Sequence, residues 1–291
     1  MKCFVLLYCV FIPCVSSVFT AVAQAQDYMI AADQGDAIAQ KNLGDCFMQG
    51  WGVEKNLELA VAYYQMSAKQ GYAPAQYSLG RCLQKGIGVG KDLALAVQYY
   101  KASAKQWNVL AIYRLGRCLQ KGEGVGVDLR LAATYYRMGA DERYEKALYR
   151  YSCCLQKGEG VGVDLALAAK CYQDSAHQGY APAQCSFGRC LQKGEGVDVD
   201  LELAAQYYED SAKQGYAPAQ YSYACCLQKG EGVRKNLALA ATYYKLSADK
   251  GYAPAQYCYA CCLQKGEGVD IDLELAARYS KMSADEGYAP A

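Results

Sequence analysis

The feature that most constrains this chain is a single spacing. Cys46, Cys82, Cys118, Cys154, Cys190, Cys226 and Cys262 stand 36 residues apart with no insertion between them. The same step carries Gly50, Gly86, Gly122, Gly158, Gly194, Gly230 and Gly266, and also Val53, Val89, Val125, Val161, Val197, Val233 and Val269. A period of this length, held in register, makes the chain an array of copies. Each copy must bury against its neighbours the apolar face it cannot bury alone. Composition agrees: 291 residues include 28 Tyr, 28 Gly and 16 Cys against only 6 Pro and 5 Phe, the lopsided usage of one motif repeated.

Each copy reads as two helices. In the second copy Gly71 ends the preceding helix, because glycine takes the left-handed cap conformation without steric cost. Pro74 then suits the first turn, where its missing N–H is no loss. Ala75, Leu79, Cys82 and Leu83 fall at i, i+4, i+7 and i+8, one face of an α-helix, until Gly86 stops it. After a loop anchored by Val89, Asp92 caps the second helix; Asn56, Asp128, Asp164, Asp200, Asn236 and Asp272 hold that place elsewhere. Leu93, Ala96, Val97, Tyr100 and Ala104 form the second apolar stripe. Small residues recur in two columns, Ala39 to Ala255 and Gly44, Gly80, Gly116, Ser152, Gly188, Ala224 and Ala260. Both columns predict close helix–helix approach, where a larger side chain costs about 1–3 kcal/mol.

The run Ala75-Gln76-Tyr77-Ser78-Leu79-Gly80, with Gly86, Gly88-Val89, Asp92-Leu93, Ala96, Tyr99-Tyr100 and Ser103-Ala104, resembles the Sel-one-like repeat, a relative of the tetratricopeptide repeat. The resemblance covers residues 28–291. It implies an all-α, right-handed superhelical solenoid of antiparallel helix pairs that works as a scaffold, holding a partner protein or peptide on its concave face. Members of the family act in protein quality control at the endoplasmic reticulum, in host–microbe contact and in signalling. A secreted hydrolase of the cysteine-rich repeat type and a quality-control adaptor are the alternative functions. Some cysteine-rich members clip each repeat with a regular cysteine pair, and this chain departs from that pattern.

Charge narrows the partner. With 30 Lys+Arg against 29 Asp+Glu, the chain lacks the basic footprint of a nucleic-acid binder. Catalysis also lacks its parts. The one histidine, His177, shares a column with Lys69, Lys105, Lys213 and Asp249, a solvated face with no second group to orient a base. The Gly-x-Gly-Val loops have neither the Lys-Ser/Thr nor the preceding strand of a phosphate cradle. Glu123, Glu159, Glu195, Glu231 and Glu267 recur once per repeat, which marks a structural position. The expectation is a non-enzyme with no catalytic residue, no metal, no cofactor and no small-molecule substrate.

The cysteines admit three readings. Column partners such as Cys82 and Cys118 should lie about 10 Å apart on neighbouring helices, beyond the ~7 Å a disulfide spans. Cys154 and Cys171 lie on the two helices of one repeat and form a candidate pair. Cys258, Cys261 and Cys262 share a helix face and offer a metal alternative, although paired ligand clusters at zinc spacing are missing. The leading reading is of small, buried, apolar side chains.

A partner is expected on the first helices. Tyr77, Tyr113, Tyr149, Tyr221 and Tyr257 recur at one position, interrupted by Cys185, and Arg81, Arg117 and Arg189 recur beside them. Tyr and Arg anchor interfaces through rigid area and forked hydrogen bonding. The competing expectation is that the tyrosines are core. One region breaks the pattern: Trp107 and Arg143 replace the turn glycine, and Leu110 and Lys146 replace the proline. Those turns either adopt another geometry or form a surface of their own.

The two ends stand apart from the period. Residues 3–26 carry no charge after Lys2, and Phe4 to Ile12 is apolar. Residues 1–25 therefore read as a signal peptide cleaved near Ala23 or Ala25, with a membrane anchor or a spurious leader as alternatives. From about residue 21 the sequence also aligns with a second helix: Tyr28 matches Tyr64 and Gly35 matches Gly71. Residues 26–291 form one array of seven complete helix pairs. At Gly287-Tyr288-Ala289-Pro290-Ala291 no capping helix follows, which predicts truncation or end-to-end self-association. The signal points to the secretory pathway, an extracellular space or a periplasm. The 13 cysteines left after its removal point to the cytoplasm instead.

Overall fold

The computed structural model describes residues 8–288, with side chains from residue 20 onward. Helix α1 (Tyr8–Asp33) precedes the pairs α2 (Ala37–Gln49) with α3 (Leu57–Lys69), α4 (Ala73–Lys85) with α5 (Leu93–Ala104), and α6 (Val109–Lys121) with α7 (Leu129–Asp141). Then follow α8 (Glu145–Lys157) with α9 (Leu165–His177), α10 (Ala181–Lys193) with α11 (Leu201–Lys213), α12 (Ala217–Lys229) with α13 (Leu237–Ala248), and α14 (Ala253–Lys265) with α15 (Leu273–Asp285). No strand occurs among the described residues, and the helix pairs recur every 36 residues, as the spacing predicts. The chain divides into two compact units, Met1–Gly139 and Ala140–Ala291, with the boundary inside α7.

Side-chain chemistry sets the helix limits. Asn56, Asp92, Asp128, Asp164, Asp200, Asn236 and Asp272 each accept the backbone N–H three residues on, at 2.8–3.0 Å. First helices close on glycine: Gly86 takes φ 71° and returns its N–H to the Cys82 carbonyl at 2.8 Å. They open without a side-chain cap where Pro74 supplies the first turn. In α6, which has Leu110 instead of proline, Asn108 accepts the Ala111 N–H at 3.1 Å.

The turns at Trp107 and Arg143 do not find another geometry. Trp107 has φ 60° and Arg143 φ 57°, the left-handed region that Gly71 occupies at φ 87°. Each holds a conformation that costs a side-chain-bearing residue about 1–2 kcal/mol. The array imposes its turn on whatever residue stands there.

Pairs meet over a tyrosine. Tyr100, Tyr136, Tyr172, Tyr208 and Tyr244 are fully buried. A Cβ at Gly80 would stand 2.8 Å from the Tyr100 ring, and one at Gly116 equally close to Tyr136, so the small-residue column is the seat of the ring. The buried hydroxyl needs a partner and donates to a first-helix glutamine: Tyr100 to Gln84 at 2.9 Å, Tyr208 to Gln192 at 3.0 Å, Tyr244 to Gln228 at 2.8 Å. That glutamine donates onward to the loop glutamate of the next repeat, Gln84 to Glu123 at 2.9 Å and Gln156 to Glu195 at 2.8 Å. The recurring glutamates therefore join neighbouring repeats.

Successive repeats come closest at the second loop glycine. A Cβ at Gly88 would collide with the Leu57 carbonyl, and the same holds for Gly124 on Leu93, Gly196 on Leu165, Gly232 on Leu201 and Gly268 on Leu237. Gly52 makes this approach to Ala21. Helix α1 thus stands where a preceding second helix would, with Ala25 and Ala32 buried. It runs unbroken through the cleavage positions expected at Ala23 and Ala25. Residues 1–7, with the first part of the apolar run Phe4 to Ile12, and residues 289–291 at the other end lie outside the described residues. Among the described residues no helix is long and apolar enough to cross a membrane.

A second polar device closes three of the pairs. Gln106, after α5, donates to Gln76 Oε1 on α4 at 3.0 Å and to the Gly71 carbonyl at 2.8 Å. Gln70 repeats the contact on Gln40 at 2.8 Å, and Gln214 on Gln184 at 2.7 Å. Two pairs have Ile112 and Leu148 in place of the facing glutamine, and two more keep that glutamine but lose its donor. Lys250 replaces one donor and binds only the Gly215 carbonyl, at 2.5 Å. Glu286 replaces the other. The facing amide oxygens, Gln220 Oε1 and Gln256 Oε1, are buried without a hydrogen-bond partner.

Candidate peptide-binding face

The first-helix tyrosines prove to be partly core and partly surface. Tyr113 is buried; Tyr77, Tyr149 and Tyr221 are half-buried; Tyr257 is exposed. Each ring of the first four leans on the buried tyrosine of its pair: Tyr77 on Tyr100 at 6.1 Å, Tyr113 on Tyr136 at 6.2 Å, Tyr149 on Tyr172 at 5.8 Å, Tyr221 on Tyr244 at 5.9 Å between centroids. The inner edge fills core and the outer edge is left to solvent. Arg81 lies over Tyr77 at 5.8 Å, close enough for a cation–π contact. Arg81 and Arg189 are exposed, whereas Arg117 is half-buried and its Nε has no hydrogen-bond partner.

In the unit Ala140–Ala291, three of these residues line one groove. Tyr149, Arg189 and Tyr221 surround a space of about 380 Å³ together with Cys185, Tyr216 and Tyr252. Tyr149 meets Tyr180 edge-on at 5.5 Å and Tyr221 meets Tyr252 at 5.5 Å, so the walls are aromatic ladders from adjacent repeats. Burial pushes the hydroxyls of Tyr216 and Tyr252 up, which keeps them protonated as donors at neutral pH. In the unit Met1–Gly139, Tyr77 and Arg81 line a separate groove of about 320 Å³ with Trp51, Lys41, Asp45 and Leu110. Asp45 accepts from Lys41 at 2.5 Å and from Tyr64 at 2.7 Å. Tyr113, Arg117 and Tyr257 line neither groove.

Sequence reasoning missed Tyr216 and Tyr252. They recur every 36 residues at the first-helix N-cap, in Gly-Tyr-Ala-Pro; that periodicity was available, but a cap position without a capping side chain drew no attention. It also missed Trp51, an exposed residue that stands where later repeats have the loop glutamate.

The column cysteines offer little reactivity. All 13 cysteines with described side chains are free, Cys154 and Cys171 included. Burial pushes the thiols of Cys82, Cys118, Cys154 and Cys190 up to about 11, and that of Cys226 up to about 12. A thiol held protonated is a poor nucleophile and a poor metal ligand. No group of three or more metal-ligating side chains converges among the described residues. His177 is exposed, its ring 6.4 Å from that of Tyr207.

Stacked helix pairs of one length, joined through repeated glutamine, glutamate and glycine contacts, define an α-helical repeat protein. The family model of the Sel1 repeat matches residues 37–72, 73–106, 109–144, 145–180, 181–216, 217–252 and 253–288, and the chain belongs to this family. No curated protein sequence matches it. Among solved structures, it is similar to a protective antigen of uropathogenic Escherichia coli strains with an SLR fold (29% identity, TM-score 0.80), over 90% of this chain and 56% of that one. The chain thus spans little more than half of that antigen. It is also similar to a Sel1 repeat protein from Oxalobacter formigenes (26% identity, TM-score 0.77), over 86% of this chain and 99% of that one. Sel1 repeat proteins are in general protein-interaction scaffolds.

Proposed function

We propose that the chain is a non-enzymatic scaffold that holds an extended segment of a partner protein against its first helices. The observation that carries this reading is the groove lined by Tyr149, Arg189 and Tyr221. It lies on the helices that the sequence marks for partner binding. Its walls expose rigid ring edges, and Tyr and Arg are enriched among residues that dominate interface energetics. Those rings are already braced by the buried tyrosines behind them, so little side-chain entropy remains to be lost on docking. The family's general role as interaction scaffolds agrees. A single histidine in the chain, outside this groove, and a Cys185 thiol that burial pushes up to about 11 leave the groove poorly equipped for bond-making chemistry.

The test is selection of random dodecapeptides displayed on phage against the purified chain, followed by solution affinity measurement. Selected peptides should bind the parent and lose about 10-fold or more in a Tyr149→Ala/Tyr221→Ala variant of unchanged helicity. Peptides that bind the variant equally well would place the partner elsewhere.

A further inference from the structure

We propose that the groove of Tyr149, Arg189 and Tyr221 selects a segment rich in carboxylates, with Arg189 as its charged anchor. The proposal rests on the reading of that groove as the partner site and specifies the chemistry of its occupant. No Asp or Glu lines the groove, while two cations, Lys157 and Arg189, do. Lys157 already has a carboxylate, Glu159 at 3.6 Å. Arg189 has only a neutral acceptor, Gln156 Oε1 at 3.3 Å, and makes no ion pair among the described residues.

The charge of Arg189 is felt along the groove. It favours ionisation of Tyr172, Cys185, Tyr208 and Tyr252 against their burial, and no carboxylate is among the charges acting on those four groups. The potential in the groove is therefore positive and unopposed from within. A guanidinium offers a fork of donors that matches a carboxylate, and such charge-assisted bonds are about twice as strong as neutral ones. The protonated hydroxyls of Tyr216 and Tyr252 are further donors on the same walls. A basic segment would meet like charge with no compensating acid, which costs affinity. The groove of the other unit lacks this bias, because Asp45 lines it together with Lys41 and Arg81.

Three acetylated, amidated dodecapeptides provide the probes, alternating leucine with glutamate, with glutamine or with lysine. Binding is followed by fluorescence anisotropy at low and at physiological salt. The glutamate peptide should bind about 10-fold tighter than the glutamine peptide, with the lysine peptide weakest, and the preference should shrink as salt rises. Arg189→Ala should abolish the preference by weakening the glutamate peptide about 10-fold more than the glutamine peptide, while Arg189→Lys should retain part of it. Equal binding of glutamate and glutamine peptides, preference for lysine, or an equal loss of both in Arg189→Ala would overturn the acidic specificity and leave the groove standing. Binding of none of the three would overturn the groove reading as well. Arg189 is exposed, so the thermal midpoint of Arg189→Ala should match the parent and serve as the control on folding.

Discussion

Lys250→Gln tests whether the polar closure between paired helices stabilises the fold in the way the geometry implies. In two of the intact copies one amide donates twice, as Gln106 does to Gln76 Oε1 at 3.0 Å and to the Gly71 carbonyl at 2.8 Å. Lys250 preserves only the carbonyl contact and leaves Gln220 Oε1 buried and unpaired. A buried acceptor without a donor costs about 1–3 kcal/mol, and a restored neutral bond is worth about 0.5–1.5 kcal/mol net. Lys250 itself is exposed, so its replacement removes little packing. Lys250→Gln should therefore raise stability by about 1–2 kcal/mol. The assay is urea unfolding followed by circular dichroism, with Lys250→Leu alongside to remove the side-chain donor altogether. The midpoint should rise for Gln and fall or stay level for Leu. If glutamine gives no more stability than leucine, the orphaned oxygen is not a cost and the reasoning fails.

Other perturbations separate the contacts. Gly232→Ala should lose about 3 kcal/mol, since its Cβ meets the Leu201 carbonyl at a left-handed φ. Gly71→Ala, with open space around it, should lose only the backbone term of about 1 kcal/mol; equal losses in urea melts would contradict the inter-repeat contact. Alkali should destabilise the fold in a set window. Burial raises Cys82, Cys118, Cys154 and Cys190 from 9.0 to about 11, so the folded state keeps protons that the unfolded chain releases. This contribution is fully present below pH 9 and is lost as pH rises toward 11. The urea midpoint should be flat between neutrality and pH 8.5 and fall above 9, less steeply in Cys190→Ala; a midpoint constant to pH 11 would refute it.

The period, the caps and the helix limits were legible because they depend on local chemistry. Asp92 caps α5 and Gly86 closes α4 through bonds that reach no further than four residues. The small-residue column was legible as close approach, but its occupant, the Tyr100 ring, requires a second helix in place. The glutamine closures were invisible for a different reason. Gln76 and Gln106 stand 30 residues apart in the chain, and only the fold brings them together and buries Gln76. The candidate face was half legible. Tyr77 was weighed as core or as surface, and the choice was false: its ring braces Tyr100 on one side and lines a groove on the other. Tyr216 and Tyr252 stayed hidden because a cap position predicts backbone geometry, not where a large ring will lie.

Interchangeability of the repeats is tested most directly by excising one full period, residues 181–216, which one complete family repeat occupies. If each pair is held by the same glycine, glutamine–glutamate and tyrosine contacts to its neighbours, residue 180 rejoined to residue 217 restores the register. The shortened chain should keep the same mean residue ellipticity and unfold cooperatively at a somewhat lower urea midpoint. A chain that loses its helicity, or melts without a cooperative transition, would show that the repeats are not equivalent units.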